Sequence, residues 1–393
     1  MLSTISVFKA EDRLSPRYIP KTLPHRDNEI NLLLDLFRDT LENISQSHLK
    51  TVQIIGGVGT GKTCTDTRFA QILREQAKER GIDLKHVYVN LKLQGKSKVV
   101  LYRSILDQGA PEAYSTSLSA EEMLRQLVKY LQDEKRYLLI SLDEVDYFLK
   151  QADQHIIYDL TRLNEFYPGR PCGVIGLIVI ARNTEFHKQL DKAELSTLGM
   201  NCIEFKPYTA PQIVDILEQR SKEAFKEGAA SAEVIAYIAD ITASPPVNGD
   251  LRYALDLLLY SGHLANNLGE KHVTLEHVRK VHGKIYHPIT SEEIQNLPEE
   301  EKYVLLGIVR SLKLEGTPYV SLRDIRKAYG VVCEEYNVTK TEHLEEAIQD
   351  LHDRGIIDVK SLTKIGISGL PAEDLSRFLD NLIERVKGGM SNC

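Results

Sequence analysis

The spacing of hydrophobic and polar positions changes along the chain, and the first half alternates between two periods. Short apolar runs typical of buried strands alternate with segments in which apolar residues recur at helical spacing. The apolar runs predict five strands, at residues 52–55, 86–90, 137–144, 173–180 and 202–205. Because strands that alternate with helices build a parallel sheet, the pattern predicts an α/β fold with its site at the carboxyl ends of the strands.

The second half begins with a change to helical spacing alone. It predicts a small helical domain with helices at residues 209–224, 232–241, 250–264 and 275–285. Beyond residues 286–288 the pattern predicts helices at 303–312, from Ser321 and from Thr341, strands at 356–360 and 364–368, and a last helix from Pro371. Three helices followed by a β-hairpin is a winged-helix layout. We therefore expect domains at residues 1–207, 208–287 and 288–393.

A glycine-rich segment joins the first predicted strand to the helix that follows it. Residues 56–63 read GGVGTGKT and fit G-x-x-x-x-G-K-[ST], the phosphate-binding loop. Glycines let the backbone turn tightly and aim N–H groups at one anion, and the helix that begins near Lys62 adds its positive end. Lys62 would reach the β- and γ-phosphates, and the Thr63 hydroxyl would hold Mg²⁺. The strand before this segment and the helix after it favour nucleotide binding over a simple glycine-rich turn. The predicted nucleotide contacts are Gly56, Gly57, Val58, Gly59, Thr60, Gly61, Lys62, Thr63 and Cys64.

Two carboxylates, Asp143 and Glu144, end the third predicted strand. Beside a phosphate-binding loop, Asp143 would hold Mg²⁺, mostly through water, and Glu144 would act as general base toward the attacking water. On its own such a pair could also cap the next helix. Asn183, where the fourth predicted strand enters a loop, is either a turn residue or an amide that orients the water.

The composition is ordinary for a soluble globular protein, with 42% hydrophobic and 27% charged residues. No apolar stretch approaches the length of a membrane span, and the N-terminal residues lack a signal-peptide layout. Five scattered cysteines without a CxxC pair indicate neither a disulfide framework nor a zinc site. We therefore expect a cytoplasmic protein with no membrane partner. The net charge of −7 neither predicts nor excludes a nucleic-acid partner.

Taken together, the motifs resemble those of the AAA+ ATPases, and within them the archaeal replication-initiator family. That family is related to the large subunit of the origin recognition complex and to the cell-division-cycle helicase loader. The resemblance covers nearly the whole chain and rests on the order of YIPKTLPHR (18–26), GGVGTGKT (56–63), LLISLDE (138–144), the strand ending at Asn183, FKPY (205–208), GDLRYALD (249–256) and the winged helix.

The resemblance implies an AAA+ α/β core with a five-stranded parallel sheet, an α-helical lid and a C-terminal winged-helix domain. It implies ATP or ADP with Mg²⁺ as cofactors. The implied partners are double-stranded origin DNA, other initiator copies or paralogues, and the replicative helicase, so the protein would associate with the chromosome.

Individual roles follow from the same resemblance. Asn183 occupies the sensor-1 position, and Arg252 is the sensor-2 residue that reaches from the lid to the γ-phosphate. With Lys62 they would neutralise the charge that develops there while Glu144 positions water. The further nucleotide contacts implied are Pro24, His25 and Arg26 beside adenine, and Tyr208.

Basic residues supply the candidate DNA contacts. The stretch at residues 92–103 could be a solvated face, but the resemblance places it near a helical insertion that contacts origin DNA. Its candidates are Lys96, Lys98 and Arg103. In the winged helix the candidates are Arg323, Arg326, Lys327, Lys340, Thr341, His343, Lys360 and Lys364.

Two departures from the family pattern limit these expectations. Residues 190–199, where an arginine finger is usual, read LDKAELSTLG; Lys188 or Lys192 could replace an arginine only partially. We therefore expect a weak ATPase whose turnover acts as a switch. The candidate recognition helix at 341–354 carries acids that would repel phosphates: Glu342, Glu345, Glu346, Asp350 and Asp353.

Alternative functions therefore remain open. The protein could be an AAA+ loader or remodelling ATPase that acts mainly on protein partners, with the winged helix as a packing or protein-contact module. It could also be a nucleotide-switched transcriptional regulator with the same DNA-binding domain.

Overall fold

The computed structural model describes residues 6–46, 48–94, 97–113, 118–150, 155–285, 290–367 and 369–390. The chain divides into an α/β unit, Pro16–Ile216 with Thr242–Arg252, and a helical unit, Met1–Ser15, Leu217–Ile241 and Tyr253–Cys393. Lys96 and the domain junction expected at residues 286–288 lie outside the described residues. The division into domains at 1–207, 208–287 and 288–393 therefore stays a prediction.

The α/β unit contains the predicted parallel sheet of five strands. Their spatial order is β2-β3-β4-β1-β5, with β1 (Lys50–Gly56), β2 (Leu84–Asn90), β3 (Tyr137–Asp143), β4 (Val174–Ala181) and β5 (Cys202–Phe205). Every residue of β4 is buried, and its side chains divide between two cores, with Leu177 and Val179 on one face and Ile178 and Ile180 on the other. A strand covered on both faces is a continuous apolar run, and for this reason the sequence predicts it correctly.

Of eight helices of the α/β unit, one precedes the first strand and seven lie between strands along the chain. They are α1 (Asp27–Glu42), α2 (Lys62–Glu79), α3 (Leu91–Gln94), α4 (Lys98–Gly109), α5 (Ala120–Asp133), α6 (Val145–Leu149), α7 (Ile156–Thr161) and α8 (Lys192–Leu198). Phe37 of α1 and Phe69 of α2 pack together with ring centroids 5.5 Å apart. Gly176 in β4 gives Phe37 its space, because a Cβ at Gly176 would lie 2.5 Å from the Phe37 ring.

The lid helices predicted from residue 209 onward are present as α9 (Ala210–Ala224), α10 (Ala232–Ala243), α11 (Leu251–Leu268) and α12 (Leu275–Ile285). The boundary between the two units falls within α9, α10 and α11. Within the helical unit, Phe8 packs against Phe225 with ring centroids 4.7 Å apart. The backbone N–H of Lys9 donates to the carbonyl of Ala224 at 2.8 Å, so the N-terminal segment is attached to the end of α9.

The winged helix is present in the helical unit. It comprises α13 (Ser291–Gln295), α14 (Glu299–Glu315), α15 (Leu322–Glu335), α16 (Leu344–Asp353), the antiparallel pair β6 (Ile357–Ser361) and β7 (Lys364–Ile367), and α17 (Ala372–Met390). Ser321 caps α15 as predicted. The prediction that Thr341 caps the next helix is wrong: α16 begins three residues later with His343 as N-cap. The Thr341 hydroxyl instead accepts from the His343 N–H at 3.0 Å, a local turn that competes with the helix.

None of the helices in the described part of the chain combines the length and apolarity that a bilayer span requires.

Candidate nucleotide-binding site

The glycine-rich loop runs from the end of β1 to the start of α2 and depends on glycine at two positions. Gly59 and Gly61 have φ angles of 68° and 87°, where glycine alone is unstrained. A Cβ at Gly59 would lie 1.7 Å from Asp250 Oδ1, and one at Gly61 would lie 2.6 Å from the Tyr208 hydroxyl. The loop therefore packs tightly against its neighbours and presents the N-terminus of an 18-residue helix.

Arg26 holds this loop in place. Its side chain is buried and donates to the Thr60 carbonyl from Nε at 3.1 Å and from Nη2 at 2.7 Å. The guanidinium also lies 4.1 Å from the ring centroid of Tyr208 and pairs with Glu29. These contacts give Arg26 a structural role beside the loop; its predicted place at the adenine base, with Pro24 and His25, stays a prediction. His25 pairs with Asp215 at 2.7 Å.

Asp143 is the centre of the candidate metal site. Its Oδ2 accepts from the Thr63 hydroxyl at 2.7 Å and from the Tyr88 hydroxyl at 2.7 Å, while Oδ1 accepts from the Glu144 N–H at 2.8 Å. A hydroxyl and a carboxylate side by side are the oxygen ligands that Mg²⁺ prefers, so the residues fit the ion. Tyr88 is a member of this site that the sequence reasoning missed. Burial, and then the neighbouring Asp143 charge, raise the pKa of Tyr88.

Lys62 lies against the loop itself. Its Nζ donates to the carbonyls of Gly56 at 2.6 Å and Gly57 at 2.7 Å. Burial lowers the pKa of Lys62, and the charge of Asp143 opposes that shift. The lysine is thus positioned within the loop that it is predicted to complete.

A small cavity is lined by several of these groups. Its lining consists of Val58, Gly59, Lys62, Thr63, Asp143, Glu144, Asp146, Ala181, Arg182 and Arg252. The structure therefore brings together the predicted Lys62, Thr63, Asp143, Glu144 and Arg252, and adds Asp146 and Arg182. Three cationic and three acidic side chains share one small space, which suits a charged ligand accompanied by a metal ion.

The end of β4 contributes a different residue from the one predicted. Arg182 directly follows β4, and its Nη2 donates to Glu144 Oε2 at 3.2 Å. Asn183 is absent from the cavity lining, and its Oδ1 accepts from the Glu185 N–H at 3.0 Å as the cap of a short 3₁₀ helix. The sensor role of Asn183 stays a prediction. A signal for Arg182 was present, since the strand's carboxyl end was predicted correctly to within one residue.

The start of α11 reaches the loop within the α/β unit. The Leu251 N–H donates to the Gly59 carbonyl at 3.2 Å, and Asp250 Oδ1 accepts from the Arg252 N–H at 2.9 Å. The Asp250 side chain also fills the space beside Gly59. These two hydrogen bonds hold the backbone just before and at Arg252 beside the cavity.

Two of the candidate DNA contacts of the α/β unit, Lys98 and Arg103, lie on α4. Arg103 is exposed, and Lys98 Nζ lies 3.9 Å from Asp159 Oδ2. Segment 190–199 contains α8 and no arginine, and Lys188 pairs with Glu185 at 3.6 Å while Lys192 is exposed.

In the winged helix, most candidate cations already have acidic neighbours. Lys360 and Lys364 lie 3.9 Å and 4.0 Å from Asp240 Oδ2 of α10, and both face the Tyr319 ring. Burial lowers the pKa of Lys360, and the Asp240 charge opposes the shift. The other pairs are Arg326 with Glu345, Lys327 with Asp324, Lys340 with Glu334, and His343 with Glu346, whereas Arg323 is exposed.

These ion pairs change the effect that the acidic residues of the candidate recognition helix are expected to have on DNA binding. Glu345 repels phosphates less while the Arg326 guanidinium lies beside it. Conversely, Arg326 and His343 must each break a contact with a neighbouring carboxylate before they can contact DNA. The contacts assigned to Thr341 and to the basic residues stay predictions.

Three family models match successive parts of the chain: an AAA domain over residues 46–190, a Cdc6 AAA+ ATPase-type lid domain over 214–283, and the C-terminal winged helix domain of CDC6 over 292–366. The chain is 31% identical over 390 residues to ORC1-type DNA replication protein 2 of Sulfurisphaera tokodaii, covering 96% of this chain and 92% of that protein.

Two solved structures are similar over nearly their whole length. The structure of Cdc6p from Pyrobaculum aerophilum matches with a TM-score of 0.81 and 30% identity, covering 97% of this chain and 99% of that one. The Aeropyrum pernix ORC1 protein in complex with DNA matches with a TM-score of 0.62 and 28% identity, covering 96% and 97%.

Proposed function

This chain belongs to the ORC1/Cdc6-type family of AAA+ replication initiators, and from that premise we propose that it binds ATP or ADP with Mg²⁺ and uses the bound nucleotide to control its grip on duplex DNA at replication origins. One observation carries the nucleotide half of the proposal. Lys62 and Thr63 lie far from Asp143 and Arg252 in the sequence, yet all four line one cavity at the glycine-rich loop.

Each residue around the cavity has its own chemical role in this proposal. Thr63 and Asp143 hold Mg²⁺, which when bound neutralises phosphate charge. Lys62 exchanges the carbonyls of Gly56 and Gly57 for phosphate oxygens, a stronger partner for an ammonium. Glu144 orients water for attack, and Arg252 contacts the terminal phosphate.

Hydrolysis is slow and serves as a switch in this proposal. Segment 190–199 offers a neighbouring subunit no arginine, and a lysine cannot make the planar two-bonded contact with a phosphate. Arg252 lies at the start of α11, so the nucleotide that it contacts biases the position of that helix.

The DNA half of the proposal is supported by the winged helix and by one relative. The similar ORC1 protein of Aeropyrum pernix is in complex with DNA. In this chain the β6–β7 hairpin carries Lys360 and Lys364, and phosphates would compete with Asp240 for both. We further propose that the protein acts with other initiator copies or paralogues and helps to recruit or load the replicative helicase, as the family assignment suggests.

Titration calorimetry with ATP and ADP in the presence of Mg²⁺ tests the nucleotide site. Lys62→Ala is expected to weaken binding of both by about a hundredfold or more, because the loop loses its one phosphate-directed ammonium. Lys78→Ala, an equal change of charge at an exposed position on the same helix, is the control and should bind like wild type. Equal affinities for Lys62→Ala and wild type would refute the site.

Protection mapping on the organism's own chromosomal DNA, with ATP and with ADP, tests the initiator role. Protection concentrated at replication origins and different between the two nucleotides supports it. Protection upstream of ordinary genes, without preference for origins, would favour a transcriptional regulator. Weak DNA binding beside fast, partner-stimulated turnover would favour a loader.

A further inference from the structure

We propose that Tyr88 is a positioning residue that makes the candidate metal site selective for Mg²⁺ over Ca²⁺, because it confines the Asp143 carboxylate to contacts with the ion through water. The inference rests on the proposed nucleotide function and adds to it a residue that decides which ion accompanies the nucleotide. Tyr88 is absent from the cavity lining, so it acts through Asp143 and not on the ligand itself.

The parallel sheet places Tyr88 beside Asp143. β2 pairs with β3, and Tyr88 lies level with Ser141, two residues before Asp143. Side chains alternate along a strand, so Tyr88, Ser141 and Asp143 share one face of the sheet. Val87 and Val89, on either side of Tyr88, are fully buried in the core on the opposite face. The phenol therefore extends toward the carboxyl edge of the sheet, where its hydroxyl lies 2.7 Å from Asp143 Oδ2.

The Asp143 carboxylate has few acceptor positions left. Its Oδ2 accepts from the Thr63 hydroxyl and from the Tyr88 hydroxyl, both at 2.7 Å, and its Oδ1 accepts from the Glu144 N–H at 2.8 Å. An ionised carboxylate offers about four lone-pair sites, two on each oxygen. Donors of the described residues therefore fill Oδ2 and leave about one site on Oδ1.

The bond from Thr63 has a second effect. Because the Thr63 hydroxyl gives its proton to Asp143, its oxygen lone pairs are available to a cation. Tyr88 holds the acceptor of that bond in place, and Asp143 is only 6% exposed, so its side chain has little room to turn. Tyr88 thus orients both of the candidate metal ligands.

This arrangement suits one divalent cation better than another. Mg²⁺ keeps several of its waters, whereas Ca²⁺ takes about six to eight oxygen ligands and readily binds both oxygens of a carboxylate. With Oδ2 occupied by two hydroxyls, Asp143 cannot give both of its oxygens to an ion. The remaining site on Oδ1 can accept a hydrogen bond from an ion-bound water, which is the contact that a hydrated Mg²⁺ requires.

A second tyrosine supplies a matched control. Tyr102 of α4 donates to Asp159 Oδ2, also at 2.7 Å, within the same unit. Neither Tyr102 nor Asp159 belongs to the cavity lining. Tyr102→Phe therefore removes a tyrosine–aspartate hydrogen bond of the same length without changing the candidate metal site.

Titration calorimetry with ATP, in Mg²⁺, in Ca²⁺ and in EDTA, tests the selectivity. Tyr88→Phe, which removes the hydroxyl and keeps the ring, is expected to lower the ratio of the ATP affinity in Mg²⁺ to that in Ca²⁺ about fivefold, because Asp143 can then offer a second oxygen to the ion. The affinity in EDTA should change less than about twofold, since no ion is present to contact Asp143. Tyr102→Phe should keep the wild-type ratio.

The outcomes separate this inference from the nucleotide site on which it rests. An unchanged ratio for Tyr88→Phe, or equal losses of affinity in Mg²⁺ and in Ca²⁺, would overturn the proposal and leave Tyr88 with a structural role alone. A wild-type protein that gains no more affinity from Mg²⁺ than from Ca²⁺ would overturn it without any variant. Failure of the wild type to bind ATP in all three conditions would refute the nucleotide site and this inference with it.

Discussion

Replacing Asp66 or His86 is expected to change the pH dependence of stability in opposite directions. Asp66 of α2 is fully buried, and its Oδ1 accepts from the Ser141 hydroxyl at 2.9 Å. His86 Nε2 lies 2.9 Å from Ser141 Oγ and forms a hydrogen bond with it. His86 Nε2 and Asp66 Oδ2 are 3.8 Å apart, so the three side chains form one cluster.

Burial shifts the pKa values of Asp66 and His86 in the directions that favour the neutral form of each side chain. It raises the pKa of Asp66 from 3.8 to about 7, with Asp143 adding to the shift and the Ser141 bond opposing it. It lowers the pKa of His86 from 6.5 to about 4, with a smaller contribution from Arg74. Between pH 4 and 6.5 the folded pair holds one proton, on Asp66, and the unfolded pair also holds one, on His86. Their contributions to the slope of stability therefore cancel in the wild type.

The sign for each residue follows from linkage. The raised pKa of Asp66 gives stability that is complete below pH 3.8 and is lost as pH rises to about 7. The depressed pKa of His86 gives stability that is complete above pH 6.5 and is lost as pH falls to about 4. Each contribution changes by about 1.4 kcal/mol per pH unit within its window.

The variants separate the two contributions. The unfolding free energy of Asp66→Asn minus that of wild type should rise with pH, by about 4 kcal/mol between pH 4 and 7. The same difference for His86→Gln should fall with pH, by about 3 kcal/mol between pH 4 and 6.5. These values are upper limits, because removing one partner also changes the surroundings of the other.

Urea unfolding followed by circular dichroism, in the absence of nucleotide and at constant ionic strength, supplies the free energies at each pH. Asp133→Asn and His48→Gln, both at exposed positions, are the controls and should differ from wild type by amounts that do not vary with pH. The assignment of neutral side chains would be refuted if the difference in unfolding free energy between each variant, Asp66→Asn or His86→Gln, and wild type did not vary with pH. A variation of the opposite sign would refute it as well.

Three further predictions concern the loop and the wing. Arg26→Ala should lower the unfolding free energy by about 2–4 kcal/mol and weaken nucleotide binding, because the Thr60 carbonyl loses both of its guanidinium donors; a variant as stable as wild type in urea would contradict this. Lys360→Ala/Lys364→Ala should weaken DNA binding and reduce the slope of log affinity against log salt by about 2, whereas Lys222→Ala/Lys226→Ala should not. Asp240→Asn should strengthen DNA binding about two- to threefold in filter binding, since it removes the carboxylate beside both wing lysines; unchanged affinity would show that the pairs do not compete with DNA.

Local patterns in the sequence were sufficient for the architecture. Five strands, the lid helices and the winged helix were predicted because each has its own periodicity and turn residues, and the family resemblance is confirmed by matches across the chain. The loop from Gly56 to Thr63 is equally local: a strand, glycines for the turn and a helix start are contiguous. Where a local competitor existed, as for Thr341, the prediction failed.

The contacts of the candidate site depend on which side chains the parallel sheet brings side by side. Asp143, Tyr88 and Arg182 belong to three neighbouring strands or their ends, and nothing near any of them in the sequence indicates the other two. The pairing of Lys360 with Asp240 likewise joins residues of the wing and the lid. Sequence alone determined which segments form strands, helices and the phosphate-binding loop, because those preferences act over a few residues. Only the tertiary structure decided which charges meet, because a hydrogen bond or ion pair depends on distances of a few ångströms between segments distant in the chain.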